Sequence, residues 1–473
     1  MQTNWIGNRA VEGRGSEIDV VNPASEVLID TIPGGSSADA DGAVRAAKTA
    51  FPAWAALSPG ERRNALRVSI EKLLGLRAEI AELLTKEMGK PLAQALGEVN
   101  SSADVMRSLV ELVTHLRSGN QMTAHQELNF QQRAPRGVAA CVVPWNYPIM
   151  VGLENAVPNM LVGNTVVWKP SEKTPLTSRL IAEKCFGHLP PGVLNVVLGD
   201  GPRVGEPLVS HPDVSVLVFV GSERTGRRLG EICGRTLKKA ILELGGKDAL
   251  IVDETVDVEA AAKLAAEATY MNAGQICTST ERLYIARSVF EEFISALVKE
   301  SREIRVGDGL EPNVQMGPLV DALQLEKVTE QVAEAVSSGA VIHHGGRRLD
   351  QKGYFYGPTV LSNVSESTKL MTEETFGPVA PCIPFDDFDE AIAMANNSRY
   401  GLATIVCTTS APRAIHAVHE LNTGMIKINT MRGKAPGATS EPFKASGLGH
   451  GYGIEFLYEL TRQKSIHWRS APK

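Results

Sequence analysis

Between Gly137 and about Glu254, short and continuously apolar runs alternate with segments of helical length. The runs are GVAACVV (137–143), NTVVWK (164–169), VLNVVLG (193–199), VSVLVFVG (214–221) and AILELGG (240–246). Between them lie stretches such as PLTSRLIAEKCFGHL (175–189) and SERTGRRLGEICGRT (222–236), long enough for crossover helices. Strands apolar on both faces that alternate with helices predict a parallel sheet covered on each side. Upstream, residues 37–118 read mostly as helices, with EKLLGLRAEIAELLTKEMG carrying apolar positions at helical spacing. Downstream, from about 247 to 430, a second alternating region holds DALIVDE, the helix-like VEAAAKLAAEATYMNAG, LYIA, DEAIAMANN and GMIKINT. Two α/β units in succession imply a cleft between them, where ligands usually bind. The polar, alternating stretches at 121–134 and in the tail YELTRQKSIHWR read as exposed hairpins or edge strands. Another subunit normally covers such an edge, so self-association is expected.

Composition narrows the function. At about 150 residues per domain, 473 residues suggest roughly three folding units. Hydrophobic residues make up 43% and charged residues 22%, the mix of an ordinary soluble globular protein. The 48 basic and 54 acidic residues give a net charge of −6 without a block of like charges. No nucleic-acid or anionic-membrane partner is therefore expected. The long uncharged stretch from Gly137 to Leu153 contains two prolines and an asparagine, which a membrane-spanning helix would not place there. The start, MQTNWIGNRAVEG, does not read as a secretory signal. Six cysteines without a C-x-x-C spacing argue against a disulfide scaffold and a structural zinc, and a reducing cytoplasm is expected.

Several residues could carry chemistry. No G-x-G-x-x-G fingerprint occurs in the sheet region; Gly199–Gly205 has one residue too many between its last two glycines. Gly221-Ser222-Glu-Arg-Thr-Gly226 follows a strand and opens a helix. It could cradle a phosphate on free N–H groups, or be a tight turn leaving a parallel strand. Cys277 lies in NAGQIC, where Gly274 breaks a helical pattern and sets the thiol on a tight connection. A thiol of unperturbed pKa about 8.5 becomes a strong nucleophile when a nearby base ionises it. Glu243 ends an apolar strand and is either that base or a salt-bridged strand end. Pro144 and Pro148 bracket Asn146, which could be a fixed hydrogen-bond donor or a capping side chain. Lys169 and Glu172 end the next strand, where they could meet a ribose or form a solvated pair.

Taken together and in order, PWNYP (144–148), WKPSEKTP (168–175), FVGSERTG (219–226), LELGGKD (242–248), NAGQIC (272–277), EETFGPV (373–379) and KASGLG (444–449) resemble the motifs of the aldehyde dehydrogenase superfamily, non-acylating NAD(P)-dependent type. The resemblance spans nearly the whole chain. It implies an α/β fold with an atypical Rossmann cofactor domain (1–115 and 136–245), an α/β catalytic domain (246–435) and a small β oligomerisation flap (116–135 and 455–473). It implies that Cys277 attacks an aldehyde, that Asn146 and the Cys277 N–H form an oxyanion hole, and that Glu243 activates water to hydrolyse the thioester. Lys169, counted also with the catalytic set, and Glu172 match contacts to the adenine ribose; Gly221 and Ser222 match the helix start under the pyrophosphate. Glu374 and Phe376 match groups at the nicotinamide ribose and ring, and Pro144, Trp145, Ser171, Gly205, Leu244 and Gly245 complete the expected cofactor set.

A carboxylate at Glu172 would repel a 2′-phosphate, so NAD is favoured over NADP, though Lys169 and Lys173 soften that preference. Glu243 favours hydrolysis over the acylating reaction, and matches at every catalytic position argue against a silent family member. The partner is a small aldehyde, with a homodimer or homotetramer expected. Tyr147, Glu154, Met271, Ile276 and Thr278 flank the expected substrate channel. Glu154 and Met271 stand where succinate-semialdehyde members anchor a carboxylate with arginines. Glu154 could attract a cationic aldehyde or face a helix interface. The loop MRGKAPGATSEPFKASG departs from the family's usual P-F-G-G-x-K pattern at Glu441 and Pro442.

Overall fold

The computed structural model describes residues 3–116, 119–122, 127–431 and 438–469. All five apolar runs become parallel strands of one sheet, in the spatial order Leu194–Val196, Thr165–Lys169, Val138–Val142, Val214–Val220 and Lys239–Glu243. Antiparallel strands flank them, Asn4–Ile6 with Arg9–Val11 at one edge and Gly447–Leu448 at the other. Strand alternation splits each run between two cores. Ala139 and Cys141 face one buried cluster with the helices Pro59–Gly75 and Leu92–Leu112, while Val138, Ala140 and Val142 face another with Ser37–Ala56 and Glu223–Arg235. The chain leaves the central strand Val138–Val142 first toward one edge and later toward the other. The crevice of such a sheet opens outside the carboxyl ends of the strands at that reversal. Those ends carry Pro144–Asn146, Gly221–Ser222 and Leu244–Gly245.

The second alternating region forms a seven-stranded sheet in the order Val341–His344, Thr359–Ser362, Val379–Phe385, Thr280–Ala286, Asp248–Val252, Ala403–Cys407 and Met425–Ile428. Every pairing in it is parallel except that of the first strand. Four of these strands (341–344, 359–362, 379–385 and 403–407) went unnamed in the sequence reading, because their apolar runs are short and interrupted by Pro381, Pro384 and polar residues. A third sheet is antiparallel and joins Asn120–Met122, Glu127–Pro135 and Thr461–Arg469. These are the two polar segments expected at an exposed edge; the last strand pairs residue for residue from Thr461↔Pro135 to Arg469↔Glu127 and is largely exposed.

The junction between the two large sheets builds the site. Lys239–Glu243 is the last parallel strand of the first sheet, and only Leu244–Lys247 separates it from Asp248–Val252 in the second. Asp248 pairs with Thr280 in the neighbouring parallel strand. The residues just before each strand, Glu243–Gly246 and Cys277, are thereby brought side by side. Gly246 is needed at that approach, since a Cβ there would lie 2.6 Å from the Cys277 carbonyl oxygen.

Candidate active site

The helix Val258–Tyr270 does not end on Gly274 alone, as the sequence suggests. Asn272 (φ 54°, ψ 31°) and Ala273 (φ 56°, ψ 33°) already adopt left-handed backbone, and Gly274 follows at φ 73°. Such geometry costs non-glycine residues about 1–3 kcal/mol each and persists only where surroundings hold it. Here Asn272 Nδ2 donates to the carbonyls of Asn146 (3.3 Å) and Gln275 (3.2 Å), and Gln275 Nε2 donates to those of Asn272 (3.0 Å) and Pro318 (3.3 Å). Gln275 Oε1 accepts the Val320 N–H at 2.9 Å. A Cβ on residue 274 would sit 2.1 Å from the Gly377 carbonyl oxygen, so this turn requires glycine.

The turn delivers the half-buried Cys277, whose Sγ donates to Glu243 Oε1 at 3.5 Å. Asn146 is buried beside them and donates from Nδ2 to the Gln275 carbonyl at 2.9 Å. Its Oδ1 is buried without a hydrogen-bond partner. All three residues line one cavity of about 950 Å³. A nucleophile, a carboxylate within reach of it and an amide donor thus share one pocket, the constellation needed for acyl chemistry through sulfur.

The cavity is also bounded by Pro144, Trp145, Gly221, Ser222, Leu244, Gly245, Glu374 and Phe376. Ser222 caps the helix Glu223–Arg235, its Oγ accepting the Thr225 N–H at 3.4 Å, and presents that helix start to the cavity. Phe376, at φ 58°, meets Trp145 edge to face with centroids 5.5 Å apart. Glu374 Oε1 accepts the Gly246 N–H at 3.2 Å, and burial, then the nearby Glu281, push its carboxyl up to about 7. Lys169, Ser171, Glu172 and Gly205 do not border the cavity but cluster at the end of the adjoining strand. There Lys169 is buried, donates to Glu172 Oε2 at 3.3 Å, and lies 3.7 Å from where a Cβ on Gly205 would be. A helix start for a diphosphate, carboxylates for ribose hydroxyls and an aromatic wall for a planar ring suit a dinucleotide.

The same cavity is also lined by Tyr147, Glu154, Met271, Ile276 and Thr278 together with Met150 and Val151. Glu154 is 8% exposed on the helix Pro148–Leu161 and borders the cavity. Pro442 also borders it, whereas residues 432–437 of the divergent loop lie outside the described residues. Two buried ion pairs escaped the sequence reading. Lys247 Nζ meets Glu281 Oε2 at 2.6 Å, and Glu281 accepts the N–H groups of Thr375 (2.7 Å) and Phe376 (2.8 Å). Lys90 Nζ meets Glu98 Oε2 at 2.5 Å behind Asn146. Among the described residues, no group of three or more His, Cys, Asp or Glu could hold a metal ion, and no helix is long and apolar enough to cross a membrane.

Comparison with known proteins agrees with this geometry. The pattern of the aldehyde dehydrogenase family matches residues 10–466. The chain belongs to the aldehyde dehydrogenase family. It is 37% identical over 459 residues to the mitochondrial aldehyde dehydrogenase of Leishmania tarentolae, covering 96% of this chain and 92% of that protein. Among solved structures, PnpE in complex with nicotinamide adenine dinucleotide superposes with a TM-score of 0.97 at 35% identity, covering 100% of this chain and 99% of that one. An NADP-dependent enzyme of E. coli superposes at 0.96 with 33% identity, covering 99% and 98%. This aldehyde dehydrogenase has the family's α/β fold and carries out NAD(P)-dependent aldehyde oxidation.

The six thiols of this aldehyde dehydrogenase differ sharply. All are free, but only Cys277 is more than slightly exposed. Burial raises Cys141, Cys233 and Cys382, and pushes Cys185 and Cys407 up to about 12. Iodoacetamide on the native protein should therefore incorporate one equivalent, on Cys277, at least about 100-fold faster than on any other cysteine. Peptide mapping that found a second cysteine labelled at a similar rate would contradict this.

Proposed function

We propose that this aldehyde dehydrogenase works through a covalent cysteine intermediate hydrolysed by Glu243. The observation that carries the reading is the Cys277 Sγ–Glu243 Oε1 contact of 3.5 Å inside the cavity that Asn146 also lines. Glu243 takes the thiol proton, and the thiolate attacks the aldehyde carbon to give a thiohemiacetal. The developing oxyanion lies against Asn146 Nδ2 and the Cys277 N–H, each such donor being worth about 3 kcal/mol. A bound nicotinamide supplies the hydride acceptor. Loss of hydride leaves a thioester on Sγ. Glu243 passes the thiol proton to solvent and then takes a proton from water; the hydroxyl adds to the thioester carbonyl, the C–S bond breaks, and the acid departs as sulfur leaves and recovers that proton from Glu243.

The cofactor is held, in this reading, by Pro144, Trp145, Lys169, Ser171, Glu172, Gly205, Gly221, Ser222, Leu244, Gly245, Glu374 and Phe376. NAD is favoured because the Glu172 carboxylate, although bonded to Lys169, opposes a 2′-phosphate. The apolar Met150, Val151, Met271 and Ile276 beside Glu154 suit an aldehyde of mixed polarity and disfavour a carboxylate near Glu154. We assign residues 1–115 and 136–245 to a cofactor domain, 246–435 to a catalytic domain, and 116–135 with 455–473 to an oligomerisation flap. The exposed Trp468 and Leu128 on the third sheet support a dimer or tetramer built there. Six free thiols fit a reducing compartment, the cytoplasm in our reading.

Two measurements test this. Reduced-nicotinamide formation over a panel of aliphatic, aromatic, carboxylated and amino-substituted aldehydes should proceed without coenzyme A and with a higher kcat/KM for NAD than for NADP. An absolute requirement for coenzyme A would overturn the hydrolytic step, and a preference for NADP the role of Glu172. The second is pH-dependent. With its carboxyl raised to about 7, Glu374 is protonated at pH 6 and ionised at pH 8. Charged acceptors bond hydroxyls more strongly, so NAD should bind about 5-fold tighter at pH 8 than at pH 6. Glu374→Gln should flatten that dependence. A variant retaining the wild-type slope would remove Glu374 from the ribose contact.

A further inference from the structure

We propose that Lys90 and Glu98 are positioning residues that hold Asn146 and the start of the following helix in register with Cys277. The proposal rests on the oxyanion role of Asn146 given above. Both side chains are fully out of water, with 1% and 0% exposure, and a pair buried so deeply returns little net stability for its desolvation. What distinguishes it is where its remaining hydrogen-bonding capacity goes. Lys90 Nζ donates to Glu98 Oε2 at 2.5 Å and to the Asn146 carbonyl at 2.8 Å, and stands 3.7 Å over the Tyr147 ring. Glu98 Oε1 accepts the N–H groups of Ile149 (2.9 Å) and Met150 (3.1 Å), in the first turn of the helix Pro148–Leu161.

The pair therefore grips a five-residue segment at three points: the Asn146 carbonyl, the Tyr147 ring and the helix start. The prolines at 144 and 148 restrict the same segment but, lacking N–H groups, cannot anchor it by donation. The anchor itself is rigid. Lys90 follows Gly89, a left-handed residue at φ 91°, and the backbone there is wedged by glycines of the other sheet's connections. A Cβ on Gly317 would lie 2.0 Å from the Gly89 carbonyl oxygen, and one on Gly309 2.5 Å from that of Lys90. Pro318, which receives the Gln275 amide at 3.3 Å, abuts the same Gly89. Lys90 and the Cys277 turn are thus fastened to one loop. The Asn146 amide, bonded to the Gln275 carbonyl at 2.9 Å, is held between them.

A displacement of about 1 Å in a catalytic group costs on the order of 100-fold in rate. Lys90→Met should lower kcat and the pre-steady-state rate of reduced-nicotinamide formation at least 10-fold. Alkylation of Cys277 by iodoacetamide, which needs no oxyanion donor, should stay within 2-fold of wild type, as should the Kd for NAD. In an Asn146→Ala background, Lys90→Met should slow turnover by less than 2-fold further, because the group it positions is gone. Should Lys90→Met fail to fold, the charge-free pair Lys90→Met/Glu98→Gln leaves no unpaired ion and is expected to show the same pattern. Wild-type hydride-transfer rates in these variants, an equal loss in alkylation and turnover, or multiplicative losses with Asn146→Ala would overturn the proposal. Full turnover by Asn146→Ala alone would instead remove the oxyanion reading on which it stands.

Discussion

The pairing of Asp248 with Thr280 is the constraint on which the site depends. Two parallel strands begin side by side there, each preceded by a short approach. One approach comes from the last parallel strand of the first sheet and carries Glu243; the other comes from the left-handed turn and carries Cys277. Their 3.5 Å contact follows from backbone register across the junction of two sheets, so it is as rigid as those sheets. Gly246 and Gly274 permit the approach, because any side chain would strike a carbonyl oxygen at either position.

Rigidity on this scale has to be maintained against strain. The consecutive left-handed residues Asn272 and Ala273 hold because two amide side chains, those of Asn272 and Gln275, bond the turn's own carbonyls and those of Asn146 and Pro318. Two buried ion pairs perform a parallel service on either side of the thiol. Lys247–Glu281 ties down the N–H groups of Thr375 and Phe376, while Lys90–Glu98 ties down the segment around Asn146. Each pair spends its hydrogen bonds on the backbone that presents functional side chains, leaving little for general stability.

Much of this was legible along the chain, and the reasons for the remainder are physical. The five strands of the first sheet were readable because each is apolar on both faces and flanked by turn residues. Cys277, Glu243 and Asn146 stood out because their chemistry sits at strand or helix ends, and the ordered motifs supplied their roles. Lys90, Glu98, Lys247 and Glu281 were not readable, since a lysine or glutamate looks solvated until distant segments bury it. Lys90 and its carbonyl partner are 56 positions apart, and Lys247 and Glu281 are 34 apart. The left-handed Ala273 was hidden for a different reason, because alanine carries no local signal for that conformation.

The central claim is that Cys277 carries the acyl group and Glu243 releases it. Single-turnover reaction of Glu243→Gln with aldehyde and NAD tests it most directly, following reduced nicotinamide by absorbance and the Cys277 peptide by mass spectrometry. The account predicts a near-stoichiometric burst, slower than in the wild type because the thiol has lost its base, then still slower turnover, with the acyl mass increment on the Cys277 peptide. Continued turnover at the wild-type rate with no acylated peptide would contradict it.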